Sequence, residues 1–322
     1  MSKWKEKLYE IRAAMETTPS AFPKRQDDIY IGVENIKVEL VDYPRNPYKA
    51  IYEVVTSTWG SREGWWHRWR NAPVEGRIMA VRQALEGNTL QQCLESISFT
   101  FKIQGLSRSA FDQLARHRLT SIGSVGMRDN NWVDAALRVP YPIAQDKKLM
   151  RKIKKWWKLT KDLYSEMVNQ GRQSWQNARF ILPMGTCWRF TWSMNYRALK
   201  DLLAKRLMAC EQWDTVATAW LIRKAVEEKF PLLAAYLRPA CDYAKKCVYH
   251  RLYSLSQAFG CLFKPCGRWP PGEEIIATFP NEAAADYKII EKQLNIKIPE
   301  PDEWDKIVNE ALIKDRRFFE EY

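Results

Sequence analysis

Arg116-His117-Arg118 is the run best equipped for chemistry, and Arg128 follows ten residues after Arg118 across a stretch rich in Gly and Ser. Guanidinium groups grip phosphate oxygens two at a time, and glycine lets backbone N–H groups come close to an anion. The same run also suits an ordinary helix C-terminus, where cations meet the negative end of the macrodipole. A second group, Arg179, Arg189, Arg197 and Arg206, lies among Trp and Phe residues, which favours partial burial against an anionic ligand. The chain has no G-x-x-x-x-G-K, no G-x-G-x-x-G, no H-E-x-x-H and no nucleophile elbow. With only His67, His117 and His250 present, histidine chemistry has few places to sit. Cys241-x5-Cys247 and Cys261-x4-Cys266, with His250 nearby, offer four thiolates for a tetrahedral zinc ion. Simple burial of the four thiols is the competing reading.

These residues need elements to hold them. Residues 36–41 and 97–103 alternate apolar and polar side chains and predict strands, the second with Ile97, Phe99, Phe101 and Ile103 on one face. Residues 188–194 repeat the pattern with Trp188, Phe190, Trp192 and Met194. Helices are predicted over 46–57, over 74–86 with a stop at Gly87-Asn88, and from an N-capping Ser107 to about Arg118. Thr120 to Asn131 reads as a loop. A long basic helix is expected over 146–170, with Leu149, Ile153, Trp156, Leu163 and Met167 facing a core and lysines forming a solvated face. Helices over 196–209, 212–229 and 302–320 complete the pattern. Strands and helices mix without regular βαβ alternation, so the expected class is α+β.

Composition sets the outer bounds. The chain has 322 residues, 46% hydrophobic and 13% aromatic with 15 Trp, enough for a substantial core and incompatible with disorder. The excess of 51 basic over 38 acidic residues gives +13 and implies an anionic partner. No apolar run reaches the roughly 20 residues of a membrane span, and Met1 to Glu10 lacks the apolar stretch of a secretory signal. A cytoplasmic chain with reduced cysteines is expected. The expected organisation is an N-terminal arm over 1–35, a main domain over 36–240, and a Cys-containing C-terminal extension over 241–322.

The ordered set of motifs resembles the flavin-dependent thymidylate synthases. Phe99 to Phe101, Ser107 to Ser109, and Gln113 through Arg116-His117-Arg118 to Arg128 are similar to the family's strand, helix and R-H-R-x7-S signature. Ala178 to Pro183, Arg189 to Trp192, Asn195 to Arg197, and Arg206 to Gln212-Trp213 are similar to its second half. The resemblance covers about residues 36–240.

The resemblance implies a homotetramer of an α+β fold with active sites between chains. It implies transfer of a one-carbon unit from methylenetetrahydrofolate to C5 of a pyrimidine nucleoside monophosphate, with dUMP favoured, using FAD reduced by NADPH. Neither a membrane nor a nucleic acid is required. By position Arg116, His117, Arg118, Asn195, Tyr196, Arg197 and Asp201 would line FAD. Gln113, Arg116, Ser124, Val125, Gly126, Met127, Arg128 and Arg179 would hold the nucleotide, and Arg206 would stabilise an ionised uracil N3. A cation beside an imide favours its anion and pushes electron density toward C5.

The sequence also departs from the family. Gly126 stands where the family has Ser, Ser124 where it has Glu, Gly123 and Asp201 where it has Asn, and Cys210 where it has His. Its G-H-x-[ST]-P-x-E-H run is replaced by Thr89 to Ser96, which keeps Glu95 and loses both His. Asp201 is expected to pair with Arg197 or Lys205. These changes leave two alternatives: a relative that acts on dCMP or UMP or installs a hydroxymethyl group, and a nucleic-acid-binding protein that has kept the fold and lost the flavin.

Overall fold

The computed structural model describes residues 28–58, 68–128, 130–169, 173–246, 268–269 and 285–321. Its strands are β1 (Ile29–Ile31), β2 (Lys37–Asp42), β3 (Ser98–Ser107), β4 (Thr120–Ser124), β5 (Leu137–Val139) and β6 (Cys187–Asn195). The helices that matter for the site and core are α1 (Pro47–Ser57), α2 (Val74–Glu86), α3 (Arg108–Leu114), α4 (Lys147–Asn169), α5 (Tyr196–Arg206), α6 (Trp213–Glu227), α7 (Pro231–Ala235) and α8 (Trp304–Glu320).

Four strands form an antiparallel sheet in the order β2-β3-β6-β4, and β1 pairs in parallel with β5 in a small second sheet. The alternation in β3 and β6 has the predicted effect: Phe99, Phe101, Trp192 and Met194 are buried on one face. Each such aromatic contributes about 1.5–3 kcal/mol by leaving water. α6 covers this face at β2 and β3. Local signals bound the helices, the stop at Gly87 as expected. Asn46 Oδ1 accepts from Lys49 N at 3.1 Å to start α1, and Gly87 ends α2 in the left-handed region at φ +86°.

Three expectations need correction. The Thr120 to Asn131 loop begins as β4, in register from Thr120 opposite Met194 to Ser124 opposite Phe190. Its Gly- and Ser-rich sequence has no strand pattern; pairing with the free edge of β6 makes it a strand, because those backbone groups need partners. The basic helix lies where predicted, and Ile153 and Met167 pack partly buried against the core as expected, but its buried face is Met150, Trp157, Thr160 and Tyr164, while Leu149, Trp156 and Leu163 are exposed. The polar ends of its side chains select the face: Trp157 Nε1 donates to Asp28 Oδ2 at 3.1 Å, and Tyr164 Oη accepts from Trp132 N at 3.2 Å.

The third correction concerns boundaries. Residues 28–35, assigned to the arm, carry β1 and bury Val33 in the main core. Buried Arg138 fastens them: Nε donates to Gly105 O at 2.7 Å, Nη1 to Gly32 O at 2.6 Å and Nη2 to Glu34 O at 2.9 Å. Gly105 sits at a bulge in β3 with φ +91°, and a Cβ there would collide with Asn35 O. The C-terminal extension is equally continuous with the core, because α8 packs on α7, α1 and α2. Buried Asp315 of α8 accepts from Tyr48 Oη and from Leu232 N, the latter at 2.7 Å.

The cysteine expectation falls mostly elsewhere, since Cys247, Cys261 and Cys266 lie outside the described residues. Cys241 is buried with its Sγ donating to Asp242 Oδ1 at 3.6 Å, and among the described residues no group of three His, Cys, Asp or Glu could hold a metal ion. The neighbouring Asp242 organises this region instead. It accepts from Arg268 Nε at 2.8 Å, Trp269 Nε1 at 2.8 Å and Trp304 Nε1 at 2.7 Å. Burial raises the Asp242 pKa, but these hydrogen bonds and the Arg268 charge outweigh it and hold the carboxyl below its ordinary range.

Candidate active site

The site grows from two strand-to-helix junctions. Ser107 ends β3 and caps α3, accepting from Ala110 N at 3.1 Å. Asn195 ends β6 and caps α5, accepting from Ala198 N at 2.8 Å. Because β3 and β6 are neighbours, α3 and α5 leave the sheet from adjacent strands, although at opposite ends of the antiparallel pair. α3 stops at Leu114, earlier than predicted, so Arg116-His117-Arg118 occupies the turn before β4.

Arg206, in the last turn of α5, meets that turn. Its Nε donates to His117 Nε2 at 3.0 Å, its Nη2 donates to Gln113 O at 3.3 Å, and its Nη1 pairs with Glu211. Among the described residues these contacts engage three of its five N–H donors and leave two for a ligand. Burial, then the Arg206 and Lys205 charges, push the His117 pKa from its ordinary 6.5 down to about 4. His117 is therefore neutral at pH 7 and uses its Nε2 lone pair as acceptor.

A polar chain supports this cluster from below. Gln113 Nε2 and Ser109 Oγ donate to Gln212 Oε1 at 2.7 and 3.1 Å. Gln212 Nε2 donates to Asp214 Oδ1 at 2.8 Å, and Ser107 N donates to Asp214 Oδ2 at 2.9 Å. Buried Asp214 thus locks the start of α6 to the start of α3 and fixes where Gln113 points.

The second cluster is a cleft of about 460 Å³ lined by Ser124 to Arg128 and by Arg179, with Arg108, Phe180 and Trp188 closing it. Asn130 Nδ2 donates to Gly126 O at 2.9 Å and holds the loop in shape. Arg108 lies over the Trp188 ring at 4.3 Å and pairs with Asp112 at 3.0 Å. The expected nucleotide residues Ser124, Val125, Gly126, Met127, Arg128 and Arg179 therefore converge, whereas Gln113 and Arg206 belong to the first cluster and do not line this cleft.

The expected flavin residues divide. Arg116 and Arg118 are exposed, and among the described residues neither forms an ion pair with a carboxylate. Tyr196 sits in the core: its side chain is fully buried and its Oη donates to Leu233 O at 2.7 Å. Arg197 Nη1 pairs with Glu95 Oε1 at 2.7 Å, the Glu kept from the family's run. Asp201 is exposed and pairs with neither Arg197 nor Lys205, contrary to expectation. Glu211 and Asp214 had no assigned role from sequence. Their signal was present in the polar run Glu211-Gln212 before a helix starting with Trp213-Asp214, where carboxylates suit the N-terminus.

Comparison with known proteins gives this arrangement a class. Residues 39–232, more than half of the chain, match the family profile described as thymidylate synthase complementing protein. A flavin-dependent thymidylate synthase of Pyrococcus abyssi is 30% identical over 246 residues, covering 73% of this chain and 96% of the relative. One from Sulfurisphaera tokodaii is 29% identical over 206 residues, covering 64% and 79% respectively. The crystal structure of a UMP/dUMP methylase, PolB from Streptomyces cacaoi, superposes with a TM-score of 0.53 at 18% identity, covering 65% of this chain and 95% of that one. The protein is an enzyme of the methyltransferase class. More narrowly, the chain belongs to the flavin-dependent thymidylate synthase family.

Proposed function

We propose that this enzyme transfers a one-carbon unit from methylenetetrahydrofolate to C5 of a pyrimidine nucleoside monophosphate, dUMP in the first place, with FAD as cofactor and NADPH as reductant. The observation that carries the reading is Arg206, held by neutral His117 and the Gln113 carbonyl with two N–H donors to spare. A guanidinium so fixed stabilises charge that develops on a pyrimidine ring. The cleft at Ser124 to Arg128 and Arg179 suits the monophosphate, which its arginines would grip through charge-assisted hydrogen bonds.

The residues at the end of α3 fit a flavin dinucleotide. Arg116 and Arg118 present two exposed guanidiniums without carboxylate partners among the described residues, as a diphosphate requires. Bound FAD would supply the electrons that reduce the transferred carbon. Arg116 and Arg118 would hold its phosphates, with Arg197 at the start of α5 as a further cation. His117 would stay neutral and keep Arg206 oriented.

In a homotetramer, the assembly the family resemblance implies, a facing copy would bring its Arg206 group to this copy's cleft. Phe180 beside the cleft is 82% exposed and Leu119 after the R-H-R turn is 81% exposed, as an interface between copies would require.

A second reading, dCMP as substrate, has one specific observation in its favour. The Arg206–Glu211 pair sets a donor beside an acceptor, which matches cytosine N3 and its N4 amino group. The test is turnover of dUMP and dCMP by the purified protein with FAD, NADPH and methylenetetrahydrofolate, read by product mass. A methyl gain on dUMP alone is expected. A gain on dCMP alone selects the second reading, and no flavin uptake with no product refutes both. Arg206→Ala should abolish turnover while FAD binding survives.

A further inference from the structure

Between Lys147 and Lys161 helix α4 carries eight cations and no acid. Lys161 turns inward to Asp28, while Lys147, Lys148, Arg151, Lys152, Lys154, Lys155 and Lys158 are exposed. Among the described residues none of these seven has an ion-pair partner. An ordinary solvated helix intersperses Glu and Lys at i,i+4 spacing, which relieves repulsion between neighbours. Here Lys147, Arg151, Lys154 and Lys158 form one row and Lys148, Lys152 and Lys155 the next, so like charges face each other along roughly 16 Å of axis. Such repulsion persists at a cost unless a polyanion relieves it.

The buried stripe of α4 decides what kind of polyanion fits. Helices that lie on membranes put their apolar face into lipid and their cations at the rim. In α4 the apolar face, Met150, Trp157 and Tyr164, is already turned into this protein, and the outermost surface is the cationic one. Leu149, Trp156 and Leu159, 44%, 45% and 65% exposed, run down the flank beside the second row of cations. Cations that track a backbone, next to an exposed indole on which a base stacks, make a surface for a single nucleic-acid strand.

We propose that the outward face of α4 binds single-stranded nucleic acid through its phosphates, with Trp156 as the stacking residue. This surface lies on a different element from the clusters at α3 and α5 and does not depend on their assignment. The test uses the full-length protein and a labelled 20-nucleotide oligodeoxythymidylate, followed by fluorescence anisotropy across a salt series. With about six phosphates neutralised, the slope of log affinity against log salt should be near −4, or a loss of roughly 250-fold between 50 and 200 mM salt. Replacing Arg151→Glu, Lys154→Glu and Lys158→Glu together should weaken binding at least ~30-fold and lower the slope by about 2. A control with Lys288→Glu, Lys306→Glu and Lys314→Glu, exposed residues elsewhere, makes the same change in net charge and should stay within about twofold of the parent. Absence of binding at 50 mM salt, equal losses in both triple variants, or binding to phosphatidylserine vesicles but not to the oligonucleotide each overturns the proposal.

Discussion

Glu211→Gln isolates the charge that Arg206 now shares. The Arg206–Glu211 side chains are 17% and 13% exposed, so the pair is screened only in part. A charge-assisted hydrogen bond of this kind is worth about 1.5–3 kcal/mol, and the partial exposure places it at the lower end, near 1.5. In the proposed site an ionising uracil competes with Glu211 for the same guanidinium. Removing the carboxylate charge should return most of that energy to the ligand and tighten dUMP roughly tenfold, since 1.4 kcal/mol is a factor of ten. The neutral cytosine ring gains no such benefit, and it loses the carboxylate that would accept from its amino group. Isothermal titration of dUMP and dCMP against both proteins reads the two affinities directly. Unchanged or weaker dUMP binding in the variant refutes the placement of Arg206 at the base. Selective loss of dCMP binding would instead make Glu211 the residue that reads cytosine.

Three further outcomes follow from the geometry. His117 has a folded pKa of about 4, below its ordinary 6.5, so the unfolded chain binds the extra proton first; stability from this group is full above pH 6.5 and is lost as pH falls toward 4. After discounting for its half-exposed position the loss is about 1–2 kcal/mol, and urea midpoints of the parent against His117→Gln across that window should show it as a difference that vanishes at pH 7. Asp242→Ala leaves the buried Arg268 guanidinium without its carboxylate and should cost about 3–5 kcal/mol, measured by chemical denaturation; a loss under about 1 would mean that Asp242 does not organise this region. Arg138→Met removes donors to Gly32, Glu34 and Gly105 carbonyls and should cost about 3 kcal/mol, with new proteolytic cleavage near residues 28–35; an uncut segment would show that β1 holds without the clamp.

Sequence by itself determined the parts governed by local physics. The two-residue alternation of Phe99, Phe101 and Ile103, and of Trp188, Phe190 and Trp192, fixed both central strands and their buried face, because a pleated strand turns every second side chain the same way. Ser107 and Gly87 marked helix ends through their own side chain or its absence. The order of the arginine motifs was enough to name the family, since each motif is a short stretch of chain. Tertiary structure decided what depends on partners remote in sequence. It made Thr120 to Ser124 a strand by offering the edge of β6, turned α4 by the polar ends of Trp157 and Tyr164, and sank Tyr196 into the core against Leu233. Only the meeting of the α3 turn with the last turn of α5 gave Arg206 its neutral His117, because hydrogen bonds between side chains 89 residues apart leave no periodicity in the chain.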